Sequence, residues 1–463
     1  MKNRSWFNFL NPKIVDEKDK LSEKNLYDFI LKNEYKKRQE YNFLMVFFGY
    51  MVYYFTRKQW SVFGSEMANQ HIITDTQYAL VGLCSSVAYG ISKFVTSPLS
   101  DIKSNRWLFG LGLSITGVVN ILLGVVWLDK FASSITTTIV LSCIFLIIKG
   151  FIDSFGANPA LRLIYNFFNH KSRRYRVIVW DIAHNIGGAL AAFIITGSFT
   201  IFGGQFGRLA YFIIPSVISI VFGIVIILVA RDRPEELGLP SVQEYYNLEL
   251  IGSKKGEVDD KPYSYYVKEY IIKNHYIWLL VIANLCNYIL RMGIGDWSFR
   301  FFKEVHDFDI KKEAKYLYSL FEIGAVVLTL SIGLPVNKYF KKFVPIIVLC
   351  LLLGTGSIVG LWLAPKGAVG QIGLFIFLAG VVYVPQCFFK LLAVELSHHR
   401  VVGTVSGILG IAGYAGDALF SKVVIGIGIK PYLGFNGIFP FFIAAGILAI
   451  LVILPMWNKK ASQ

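Results

Sequence analysis

Runs of apolar residues as long as a bilayer is thick recur along the whole chain, and they limit its fold more than any other feature. Tyr211 to Ala230 and Phe441 to Trp457 are two of them. About 20 such residues cross the hydrocarbon core as a helix. Charged residues make up only 16% of the 463 residues, against roughly 25% in soluble domains. Too few polar side chains remain to cover a water-soluble globule. The pattern excludes a soluble enzyme carried on one anchor.

Twelve spans satisfy the length criterion. They fall near 42–64, 77–100, 107–129, 135–167, 177–203, 208–230, 275–302, 314–336, 343–364, 369–396, 401–428 and 434–457. Residues 231–274 hold no spanning run and divide the chain into two six-span halves. The expected order is a segment at 1–41, a half at 42–230, the linker at 231–274, a half at 275–457 and a tail at 458–463. The fold class is therefore all-α, with twelve transmembrane helices in two pseudo-symmetric halves.

The net charge of +16 would suggest nucleic acid in a soluble protein. Here the basic residues collect in alternate loops, at Lys103 and Arg106, at Arg173, Arg174 and Arg176, at Lys338 and Lys342, and at Lys459. That is a topology signal, and it puts both termini in the cytoplasm. The loop at 303–315 breaks the pattern with a mixture of both signs. No nucleic-acid partner is expected. Cys84, Cys143, Cys286, Cys350 and Cys387 lie in apolar runs without a CxxC pair and read as packing residues. No metal, cofactor or catalytic nucleophile is expected, and the chain does not read as an enzyme.

Charges inside spans carry the functional signal, because each costs at least ~2.5–3.5 kcal/mol on insertion scales and faces protein or a water-filled cavity. Arg57 and Arg291 lie well into the first span of each half, each with a tyrosine, Tyr54 or Tyr288, three residues earlier on the same helical face. Snorkelling is the alternative for Arg57, and an ion pair with Asp296 or Glu322 is the alternative for Arg291. Lys390 is deep in the tenth span. Lys93, in the second, is within reach of the interface. His184 follows Asp181 by one turn, an arrangement suited to proton-coupled binding. Glu322 reads as an exchangeable ion-pair partner. Asp417 and Lys422 are five residues apart, which in an α-helix places them on different sides and argues against a pair. Two inward guanidiniums without matching carboxylates imply an anion, and their planar fork suits phosphate.

Several short motifs have a family likeness. Trp180-Asp181-Ile182-Ala183-His184-Asn185-Ile186-Gly187-Gly188 resembles the W-N-x-A-H-N-x-G-G signature of the organophosphate:phosphate antiporter family of the major facilitator superfamily. It departs at Asp181, where the family usually has Asn. Tyr53-Tyr54-Phe55-Thr56-Arg57-Lys58 resembles that family's first-span Y-Y-x-x-R-K, and Arg291 to Trp297 its seventh-span R-x-G-I-x-D-W. Ser92-Lys93-Phe94 with Ser100-Asp101, and Arg231 to Pro240, are also similar to family segments. Gly416-Asp417 with Lys422 is more similar to the hexose-phosphate branch.

The resemblance implies that Arg57 and Arg291 clamp phosphate with His184 beside them. Tyr54, Lys93, Lys390 and Asp417 complete the expected binding set, and His184, Asp181 and Glu322 the proton-coupling or gating set. It further implies a monomer in a bacterial inner membrane that exchanges an organic phosphate, first of all hexose 6-phosphate, for inorganic phosphate by rocker-switch access. Glycerol 3-phosphate exchange and a hexose-phosphate sensor are the alternatives. A membrane phosphatase would need a nucleophile or metal cluster that the sequence does not offer.

Overall fold

The computed structural model describes residues 23–459 apart from 129–133, 203, 247–261, 341 and 399–400. Part of the expected N-terminal segment, the linker residues 247–261 and the tail from 460 lie outside the described residues. Within them there are helices and no strands.

Helix α1 is Glu23–Arg57, continued past a break at Lys58 as Gln59–Asn69. Then come α2 (Asp75–Ile102), α3 (Asn105–Val126), α4 (Ile135–Asp153 and Ala157–Phe167), α5 (His170–Asp181 and Ala183–Phe202) and α6 (Gly204–Val229). The second half is α7 (His275–Glu304), α8 (Lys315–Leu328 and on to Tyr339), α9 (Val344–Leu363), α10 (Val369–Ala379 and Tyr383–Glu395), α11 (Val402–Ala415 and Gly416–Ile429) and α12 (Lys430–Ile453). Twelve alternating helices bring both chain ends to one end of the bundle, here the terminal end; the other is the far end.

Two boundaries differ from the sequence reading. The first helix starts at Glu23 rather than near 42, and its early turns are not detached. Tyr35 is buried and stacks on Tyr245 of the linker at 3.8 Å. The first span also runs beyond 64, to Asn69. This leaves Arg57 in mid-helix rather than at an end from which it could snorkel.

Burial is inverted relative to a soluble protein. Ile201, Leu228, Leu363 and Leu451 face outwards, while Lys93, Asp181, Arg291, Glu322 and Lys422 are buried. Hydrocarbon as the outer solvent accounts for both halves of that pattern. All five cysteines are free thiols.

The halves meet along α2 against α11 and α5 against α8. Glycines set two close helix approaches, one within the first half and one between the halves. A Cβ at Gly187 would stand 2.2 Å from the Met51 carbonyl, and one at Gly188 3.0 Å from the Glu322 carboxylate. The Gly187-Gly188 pair thus lets α5 wedge between α1 and α8, and brings His184, one turn earlier, to the centre.

At the far end Arg300 and Lys430 both reach Asp75 of the opposite half, Lys430 at 3.6 Å, and Lys430 bonds Glu304 at 2.5 Å. The adjoining loop buries His306 against Phe301 (4.8 Å) and Phe308 (5.6 Å). Burial, helped by Lys366, holds this imidazole below the ordinary histidine range. The folded state favours the neutral ring. An unfolded chain takes up its proton near pH ~6.5, so stability is lost as pH falls below that value. Thermal unfolding in detergent should therefore drop between pH 7 and pH 5 (about those values), and drop less in His306→Phe.

Candidate functional site

Arg57, the last residue of the first segment of α1, and Arg291, on the inward face of α7, put two guanidiniums on either side of a tyrosine cage. Arg57 stacks over Tyr89 (4.0 Å), with Tyr54 at 5.3 Å and Tyr414 at 5.4 Å, and donates to the Tyr414 hydroxyl. Arg291 lies over Tyr383 (4.5 Å) and Tyr288 (5.3 Å) and donates to Gln386 Oε1 at 2.7 Å. Tyr414 and Tyr288 touch, with centroids 5.7 Å apart, and so join the two arginine environments. Such cation–π contacts stabilise a desolvated guanidinium without removing its charge.

His184 closes the cage on a third side. Its ring lies 5.2 Å from Tyr54 and 5.3 Å from Tyr383, one aromatic from each half. It is buried, and neither ring nitrogen has a hydrogen-bond partner among the described residues. A buried orphan of this kind is unusual. Lys93 points into the same space rather than to the interface. Its ammonium stands 4.9 Å from the Tyr89 ring and 5.8 Å from that of Tyr414, and its stem lies against Gly410 of α11.

The charge pattern around the cage is uneven. Lys58 pairs with Glu322 (3.5 Å), Lys149 with Asp153 (3.1 Å) and Lys390 with Asp181 (3.0 Å). Lys422 pairs with Asp296 and, at 3.9 Å, with Asp417. Arg57, Arg291 and Lys93 have no carboxylate within ion-pair distance among the described residues. Burying a charge uncompensated is costly, so three unpaired cations converging on one orphan imidazole form the feature that most needs a ligand.

The geometry removes one alternative and corrects two expectations. Arg291 pairs with neither Asp296 nor Glu322, because Lys422 and Lys58 hold those acids. Asp417 and Lys422 do pair: residues Gly416–Ile429 are π-helical, and i→i+5 bonding brings residues five apart onto one face. Asp181 does not serve His184. The helix is interrupted at Ile182, and the carboxylate turns to Lys390. Asp417 also accepts from Ser86 of α2.

Glu322 is more connected than its sequence context suggests. It accepts from Asn185 (2.9 Å), Tyr318 (3.0 Å) and Tyr383 (3.1 Å), besides the Lys58 ammonium. Asn185 and Lys58 belong to the other half, so one carboxylate ties the halves together beside the cage. Lys58, Asn185, Gln386, Tyr383 and Tyr414 do not stand out as site residues from sequence. The first two lie next to Arg57 and His184 in the motifs, which is a usable signal; Tyr414 has none, because only folding brings α11 to α1.

The Major Facilitator Superfamily profile matches residues 43–421. The chain belongs to the major facilitator superfamily. Its relatives narrow this to the organophosphate:phosphate antiporter family. It is 31% identical to a probable hexose phosphate transport protein of Chlamydia trachomatis over 93% of each chain. It is 28% identical to the glycerol-3-phosphate transporter of Bacillus subtilis, over 93% of this chain and 95% of that one. It is also 29% identical to the membrane sensor protein UhpC of Salmonella typhimurium, over 93% and 94%. Among solved structures, a bacterial homologue of the lysosomal transporter Spinster superposes with TM-score 0.63 at 13% identity, over 90% of this chain and 95% of that one. That likeness concerns the fold. The superfamily chain is a transporter, not an enzyme.

The Glu322 tie can be checked directly. Glu322→Gln leaves Lys58 buried without its counter-charge and should cost about 3 kcal/mol of stability, seen as a lower unfolding temperature in detergent. Adding Lys58→Gln should recover part of that loss.

Proposed function

We propose that the protein exchanges an organic phosphate for inorganic phosphate, with Arg57, Arg291, Lys93 and His184 holding the phosphoryl group common to both. The supporting observation is the set of three cations without carboxylates, Arg291 and Lys93 buried and Arg57 half-buried, around an imidazole with two orphan nitrogens. Phosphate offers several acceptor oxygens and up to two negative charges, so it suits several donors at once; a carboxylate suits fewer. Tyr54 lines the pocket as a cation–π partner of Arg57. Lys390 and Asp417 border the organic part, each with its charge already countered.

Hexose 6-phosphate is the favoured organic substrate, on the likeness to the chlamydial hexose phosphate protein and on the acid and lysine in α11. Glycerol 3-phosphate is the second reading, favoured by the similarity to the Bacillus protein. Obligatory exchange follows from electrostatics: an unloaded site leaves its cations unneutralised in a low-dielectric interior, which opposes the return of an empty carrier. The halves rock about this site, with the far-end cluster of Asp75, Arg300, Glu304 and Lys430 opening and closing one path. Orientation rests on the basic loops at the terminal end, which puts both termini and the linker in the cytoplasm of a bacterial cell whose inner membrane holds the carrier as a monomer.

Proteoliposomes loaded with inorganic phosphate test this reading. Labelled hexose 6-phosphate should enter only when phosphate is inside, and Arg57→Ala or Arg291→Ala should reduce uptake to that of protein-free vesicles. Retained uptake in either variant removes the clamp. Stronger competition by glycerol 3-phosphate assigns that substrate instead, and binding without exchange favours a sensor.

A further inference from the structure

Position 181 is where the chain departs from its family signature, and the structure gives the acid a specific partner. Asp181 ends the first segment of α5 with its side chain 5% exposed, and its Oδ1 accepts from Lys390 Nζ at 3.0 Å. Lys390 stands on α10 one turn beyond Gln386, the residue that bonds Arg291, and so on the same face of that helix. Its side chain is 35% exposed. It is near enough to act electrostatically on His184, Lys93 and Tyr288. Without Asp181, Lys390 would stand as a fourth uncompensated cation, one helical turn from the Gln386 that bonds Arg291.

We infer that Asp181 restricts the site to monophosphates by cancelling the charge of Lys390. The inference rests on the reading above that phosphate is the bound group. Three uncompensated cations match a phosphate monoester, which carries up to two negative charges. A bisphosphate brings roughly twice that charge, and its second group needs a further cation at the rim of the site. Lys390 has the right chemistry and place for that role, but the 3.0 Å pair with Asp181 neutralises it. The carboxylate also presents negative charge to the second phosphoryl group. Coulomb interaction at an effective dielectric of about 20 makes one net charge at such range worth a factor of ten or more in affinity.

Cancellation makes the two single variants move in opposite directions. The ratio of affinities for fructose 1,6-bisphosphate and fructose 6-phosphate would be measured by calorimetry on the purified full-length protein, with inorganic phosphate as reference. Asp181→Asn should raise the ratio about tenfold or more, because Lys390 gains its charge, and Lys390→Gln should lower it by a similar factor, because Asp181 is left uncountered. The double variant should return to the native ratio. A ratio unchanged in either single variant overturns the inference. So does a ratio that stays raised in the double variant, because Asp181 would then act without Lys390. Loss of packing would weaken all ligands in both variants and leave no opposite pair of shifts, which also counts against it. If the native protein binds none of the three phosphates, the functional reading fails instead, and the two failures stay distinguishable.

Discussion

The molecule depends on how buried charge is balanced in a medium that cannot solvate it. A guanidinium inside a span is tolerated only with a counter-charge, a cavity or an aromatic surround. Lys58, Lys149, Lys390 and Lys422 take the first route. Arg57, Arg291 and Lys93 take the last, and they converge. Much of the surrounding architecture serves this concentration of positive charge: the tyrosines supplied by α1, α2, α7, α10 and α11, and the glycine pair that admits His184.

The same balance ties the halves together. Glu322 joins α8 to α1 and α5, the Asp181–Lys390 pair joins α5 to α10, and Asp75 draws in Arg300 and Lys430 at the far end. Each is a polar contact between two bodies whose outer surfaces are apolar. Ion pairs of this kind are poor sources of net stability, since desolvation offsets much of the attraction. They do specify register, and in a carrier they can be broken and remade without exposing hydrocarbon-facing surface.

Reading the chain residue by residue reaches the helical class and the basic character of the site, because long apolar runs and misplaced charges are local signals. It also picks out Arg57, Arg291 and His184, which the fold brings round one cage. It fails on partners. Helical spacing stacks Asp181 on His184, but a lysine from α10 of the other half takes the acid. An α-helix would keep Asp417 and Lys422 apart, and the π-helical stretch at 416–429 does not obey that geometry. Tyr414, bonded to Arg57 across 357 positions, has no local signal.

By itself, then, the sequence determined which residues must leave the lipid: an arginine flanked by apolar residues has nowhere else to go, whatever the fold. Only the tertiary structure decided which of those charges would be spent on one another. Pairing depends on distances of about 3 to 4 Å between helices far apart in the chain, and these are set by glycine contacts, helix breaks and a change of helical pitch. That selection left Lys390 cancelled and Arg57, Arg291 and Lys93 uncompensated, because the carboxylates nearest the cage are already held by Lys58, Lys390 and Lys422.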